Sequence, residues 1–148
     1  MYTHHKSILC INAVYTYMTN AKEHLIILNK LSERIIGCAI SVHRTLGPGL
    51  LESVYKEAFC IELEYLGISY KAEVPVSIHY RNEILKNKLR MDLVIENKII
   101  VELKSVGKLI DVHKAQLISY MKLSKINLGL LLNFNRVLLK DGIFRMLL

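Results

Sequence analysis

Two carboxylates and a lysine interrupt stretches that are otherwise nearly all apolar. Asp92 lies in LRMDLVIE, and Glu102 and Lys104 lie in IIVELKSV, with Glu96-Asn97-Lys98 between the two runs. Read as a hairpin, side chains two apart share a face, so Glu102 and Lys104 point one way while Val101 and Leu103 point into the core. A loop of residues 96–98 sets Asp92 opposite Glu102; a loop one residue shorter pairs Asp92 with Leu103 and sends the carboxylates to opposite faces. Facing carboxylates repel, so a cation is expected between them. Lys104 supplies one charge, but a single ammonium bridges two carboxylates poorly. Magnesium takes oxygens from one or two carboxylates and keeps water or substrate phosphate in its other positions. A lysine beside such an ion can orient or deprotonate a water. The same residues also describe a buried Glu/Lys/Asp ion-pair cluster without chemistry.

The surrounding pattern supplies elements to hold these residues. Leu31, Ile35, Ala39, Val42 and Leu46 recur at helical spacing until Gly47-Pro48-Gly49. A second helix is expected from near Leu50, with Leu51, Val54, Tyr55, Ala58, Phe59, Leu63 and Leu66 on one face and Gly67 as its stop. Tyr70, Ala72, Val74, Val76 and Ile78 alternate as in a strand, and Pro75 argues for an edge or a bulge. RNEILKNK reads as a connection. DVHKAQLISYMKLSK reads as a helix capped by Asp111, LGLLLNF as a central strand buried on both faces, and GIFRMLL as a closing strand. Residues 1–28 show no clean period and are read as a flexible extension, with Met18 an alternative start and 29–148 the domain.

Composition bounds the function. At 148 residues, 52% hydrophobic and 22% charged, the chain suits one folded domain rather than disorder. A net charge of +7 favours polyanionic partners, nucleic acid before acidic membrane. No run reaches the ~18 apolar residues of a membrane span, and SILCINAVYTYM after HHK is only a faint signal-peptide shape. Cys10, Cys38 and Cys60 lack zinc spacing and read as free thiols of a reducing cytoplasm; His4, His5 and Cys10 read as a chance grouping rather than a metal site. No phosphate loop, nucleophile elbow or His-Glu-x-x-His motif is present.

Asp92, followed ten residues later by Glu102-Leu103-Lys104, resembles the core signature of the PD-(D/E)XK nuclease superfamily, although Met91 stands where the name places proline. LGPGLLESVYKEAF adds Gly49-x-x-Glu52-x-x-Tyr55, and residues 30–147 are similar to the GxxExxY proteins of that superfamily. The resemblance implies an α/β fold with a restriction-endonuclease-like core, a central mixed β-sheet flanked by α-helices. It implies a nuclease dependent on Mg2+ or Mn2+, with DNA favoured as substrate. Asp92, Glu102 and the Leu103 carbonyl would hold the metal, Glu52 would reach it directly or through water, and Lys104 would stand near the attacking water. Gln116 and Tyr120, one helical turn apart, would line the site, while Tyr55 is read as packing and His113 as exposed. Lys86, Lys88, Arg90, Lys108, Lys114 and Lys122 are candidates to guide phosphates. The alternative is a non-catalytic module that keeps the nuclease fold and binds nucleic acid or protein. The apolar excess is compatible with a homodimer.

Overall fold

The computed structural model describes the backbone of residues 4–148 and the side chains from Tyr17 onward. The side chains of His4, His5 and Cys10 therefore lie outside the described residues. Helix α1 runs over His4–Leu46, much further toward the N-terminus than the apolar period from Leu31 suggests. Every described side chain from Tyr17 to Ile27 is exposed, Met18, Ile26 and Ile27 among them, and burial begins at Leu28. The chain divides into two compact units, Met1–Glu33 and Arg34–Leu148. No helix among the described residues is long and apolar enough to cross a membrane.

Within the second unit α1 stops at Gly47, which takes a left-handed φ of 68° that costs glycine little. Helix α2 covers Glu52–Tyr65 and starts two residues later than the pattern suggests, because Leu51 is extended. Strand β1 is Tyr70–Pro75, shorter than the alternation through Ile78 suggests; a short hairpin follows, with β2, His79–Tyr80, at the end of that expected strand and β3, Glu83–Ile84, in the stretch expected to be connection. Strands β4, Arg90–Ile95, and β5, Ile99–Lys104, follow, then helix α3 over Asp111–Ser124, strand β6 over Leu128–Asn133, a 3-10 turn at Leu139–Gly142, and β7 over Ile143–Leu147.

The sheet order is β1-β4-β5-β6-β7, antiparallel except for the parallel pair β5–β6 that α3 connects. Pro75 ends an edge strand, where its missing N–H harms least. All six residues of β6 are buried, as its unbroken apolar run requires. Both faces of the sheet are covered, and this corrects the one-sided reading of the hairpin. Leu93, Ile95, Ile99, Val101 and Leu103 are fully buried on one face. On the other, Val94, Ile100 and Leu131 cluster with Leu117, Tyr120 and Met121 of α3. The face that carries Glu102 and Lys104 is thus core as well. Its α3 cover also leaves no room at Gly129, where an added Cβ would lie 2.7 Å from Met121 Sδ.

Candidate active site

The loop between β4 and β5 spans 96–98, and the strands pair as Leu93↔Val101, Val94↔Ile100 and Ile95↔Ile99. This register, continued by one step, sets Asp92 opposite Glu102. There the backbone ladder gives way to side chains: the Asp92 N–H donates to Glu102 Oε1 at 3.0 Å, and the Leu103 N–H donates to Asp92 Oδ2 at 2.9 Å. Each carboxylate is held by the opposite strand's backbone. On the other side of β4, Ala72↔Leu93 and Val74↔Met91 bracket Glu73 opposite Asp92, and Glu73 has a left-handed φ of 52°. A non-glycine residue in that region costs about 1–2 kcal/mol. Glu73, Asp92 and Glu102 therefore form one acidic row across three neighbouring strands, at the level where the ladder opens.

Burial governs the charges of this row. Glu102 is 3% exposed, and its pKa is pushed up to about 7, mainly by burial and then by the Asp92 charge; the Asp92 N–H, Lys104 and Lys56 oppose the rise. Lys104 lies near enough to favour ionised Glu102. The cation in contact with Asp92, however, is Lys56 of α2, whose Nζ donates to Asp92 Oδ1 at 2.6 Å and to Glu73 Oε1 at 2.5 Å. Burial alone would lower the Lys56 pKa, but its bonds to Asp92 and Glu73 outweigh that and hold it above the ordinary lysine value. Neither Lys56 nor Glu73 was marked by the sequence pattern: Lys56 stands four residues after Glu52, the spacing of an ordinary helix-surface pair.

Helix α3 brings in a polar pair from above. Gln116 Nε2 donates to the Tyr120 hydroxyl at 2.9 Å. Burial raises the Tyr120 pKa, and the charges of Glu102 and Asp92 act in the same direction, so this hydroxyl sits within the field of both carboxylates. Asp111 is not the cap of α3. Ile110 is the cap residue and Asp111 already lies inside the first turn, where its charge suits the helix N-terminus without a capping bond. His113 turns back, and its Nδ1 accepts the Ile110 N–H at 3.3 Å.

The Gly49-x-x-Glu52-x-x-Tyr55 stretch divides into different tasks. Tyr55 is fully buried, stacks on Phe134 at 4.6 Å, donates its hydroxyl to the Gly47 carbonyl at 2.6 Å and accepts the Leu50 N–H at 3.1 Å. It braces the loop. Gly49 has a φ of 98°, unfavourable for any other residue. Ser105, directly after Lys104, donates its hydroxyl to the Leu50 carbonyl at 2.6 Å, and buried Asn133 donates to the Val106 carbonyl at 2.8 Å and accepts its N–H at 3.0 Å. These two residues, unmarked in the sequence, fix the chain that leaves β5. Glu52 is the first residue of α2 and acidic in its first turn, where it complements the helix dipole.

The oxygens a hard cation would meet here are those of Asp92 and Glu102 and the Leu103 carbonyl. The Lys104 carbonyl accepts from Phe134 on the β6 side, so the alternation of the strand turns Leu103 toward β4. An all-oxygen set of two carboxylates and a carbonyl fits magnesium or manganese in kind. Among the described residues no three His, Cys, Asp or Glu side chains converge as a metal-holding group, and Glu52 is not drawn in with the Asp92–Glu102 pair. Lys86, Lys88, Arg90, Lys108 and Lys122 are exposed, as a phosphate-guiding role requires, whereas Lys114 is half-buried beside Asp111 and over the Phe144 ring.

Comparison with curated proteins and with solved structures gives no match. A family model described as the PD-(D/E)XK nuclease superfamily matches residues 29–146. That span contains every residue of the acidic row, Lys56, Lys104 and the Gln116–Tyr120 pair. The mixed five-stranded sheet with flanking helices is the restriction-endonuclease-like architecture of that superfamily, whose members are generally nucleases that use divalent metals, and the chain belongs to the PD-(D/E)XK nuclease superfamily.

Proposed function

We propose that this protein is a nuclease dependent on Mg2+ or Mn2+ that hydrolyses phosphodiester bonds in nucleic acid, with DNA the favoured substrate. One observation carries the reading: two carboxylates face each other where β4 and β5 stop pairing, each oriented by a backbone N–H of the other strand, with Lys104 two residues beyond Glu102. Burying two like charges side by side is unfavourable in a purely structural cluster; it is useful where a cation and a phosphate must be received. Asp92, Glu102 and the Leu103 carbonyl would hold the metal. When bound, the ion supplies Lewis-acid polarisation of the scissile phosphate.

The rest of the mechanism belongs to the chain. The Leu103 and Asp92 N–H groups keep the carboxylates preorganised, so little reorganisation accompanies the reaction. Lys104 orients the attacking water and offsets charge on the phosphate oxygens. Half-buried Gln116, tied to the hydroxyl of buried Tyr120, lines the α3 side of the site. Exposed Lys86, Lys88 and Arg90 draw in the phosphate backbone, and that contribution falls with salt. Cys38 and Cys60 are free thiols, in keeping with a reducing cytoplasmic setting. The Lys56–Asp92 ion pair favours the second reading, a binding module that keeps the fold without turnover.

Cleavage of labelled single-stranded, duplex and branched DNA and RNA with magnesium, manganese or chelator tests the proposal. Metal-dependent hydrolysis that Asp92→Ala reduces by about 10²–10³-fold is expected. Equal rates for wild type and Asp92→Ala would place the cleavage outside this site, and no cleavage of any substrate favours the binding module.

A further inference from the structure

Asp92 already has a cation. The Lys56 ammonium bridges Asp92 and Glu73, and the three side chains differ in exposure: 23% for Lys56, 13% for Asp92 and 53% for Glu73. The bridge therefore has a buried end and an open end. Three features set it apart from an incidental pair. Lys56 forgoes Glu52, its helical neighbour, for two residues on different strands. Glu73 holds a left-handed backbone at the point that aims its carboxylate at the ammonium. A groove lined by Lys56, Glu73, Ser53, Glu57, Cys60 and Glu64 leaves the ammonium space on its open side.

A divalent ion on Asp92 would stand against this ammonium, and like charges in contact in a partly dry site repel strongly. One of them must yield. The lysine stem is flexible and the ammonium can rotate its three donors, so it can leave Asp92 while keeping Glu73. We infer that Lys56 is the resident counter-ion of Asp92 in the metal-free protein and passes to Glu73 alone when a divalent cation takes the carboxylate; this rests on the metal-dependent reading above. Lys56 is then a positioning residue. It offsets part of the negative charge of the empty acidic row and sets metal affinity by competition, and Glu73 is the holding post that makes the exchange easy.

Titration of Mn2+ into wild type, Lys56→Met and Glu73→Gln by calorimetry, with metal-free melting curves, tests this without any measure of activity. Lys56→Met should bind Mn2+ about tenfold more tightly, melt lower without metal and gain more from it by mass action. Glu73→Gln leaves Asp92 as the ammonium's sole partner and should bind Mn2+ severalfold more weakly. Both shifts should survive in about 1 M KCl, where the Debye length is about 3 Å and distant charges are screened. Shifts that vanish there report only the general field and overturn the inference, as does a Lys56→Met protein with wild-type or weaker affinity while wild type binds. Absence of binding by all three proteins at millimolar Mn2+ overturns the metal-dependent reading itself. Should Lys56→Met fail to fold, Glu73→Gln decides: unchanged affinity overturns the exchange.

Discussion

The two ends of the β4–β5 hairpin are built on opposite principles. Near the turn, Ile95 faces Ile99 and Leu93 faces Val101, all fully buried and joined by a regular ladder. One step beyond Leu93, the ladder is replaced by carboxylates that borrow backbone N–H groups. The first end contributes apolar burial, about 25 cal/mol per Å². The second gives up ladder bonds and holds charges close together. Stability and reactivity are thus separated along a single pair of strands, and a site so placed inherits the rigidity of its neighbour without sharing its chemistry.

Substitutions at either end should break that separation in different ways. The largest effect is expected at Lys104: Lys104→Ala should lower the single-turnover cleavage rate by about 10²–10³-fold while nucleic-acid affinity changes only a few-fold, since one phosphate contact among many is lost. Wild-type cleavage by that variant would make the lysine structural. At the apolar end, Ile99→Ala should destabilise by about 2–5 kcal/mol in denaturant unfolding and leave the rate per folded molecule intact. A rate that falls with stability would show that the two ends are not separable.

The acidic end should carry its own pH signature. Glu102 titrates near 7 in the folded protein against an ordinary value of 4.5, so the folded state holds this proton more tightly than the unfolded chain. The stability it contributes is complete below about pH 4.5 and is lost as pH rises through about 7, on the order of 3 kcal/mol in all. Melting of metal-free wild type and Glu102→Gln between pH 5 and 8 should show that slope in the first and not in the second. Parallel curves would place the proton elsewhere. The smallest effect is expected at Lys88: Lys88→Ala should weaken binding a few-fold and reduce the salt slope by about one, with the chemical step unchanged at saturating substrate.

Much of this contrast is visible in the sequence because it is local. The period of two in LRMDLVIE and IIVELKSV marks the strands, and it narrows the register to two choices by loop length; the three-residue loop 96–98, seen in the structure, is the one that matches Asp92 with Glu102. Gln116 and Tyr120 follow from helical spacing in the same way. Lys56 and Glu73 could not be found so. Their meeting depends on the placement of α2 against the edge of β1 and on a left-handed residue within a strand, and neither leaves a periodic trace. The early start of α1 is a different case: Val14, Met18, Ala21 and Leu25 do continue the helical spacing of Leu28 and Ile35, but the apolar residues interleaved with them blur that period. Asp111 misled because an acid inside the first turn looks, in sequence, like a cap one residue earlier.

The carboxylates that replace the ladder also give the protein two built-in reporters. The N–H groups of Asp92 and Leu103 are shielded from solvent exchange by side-chain oxygens rather than by strand partners. Their deuterium uptake should follow the ionisation and occupancy of the acidic row, while the amides of Val94 and Ile100, inside the regular ladder, follow global unfolding. An exchange experiment read at single residues could therefore watch the site open and fill in a protein that stays folded throughout.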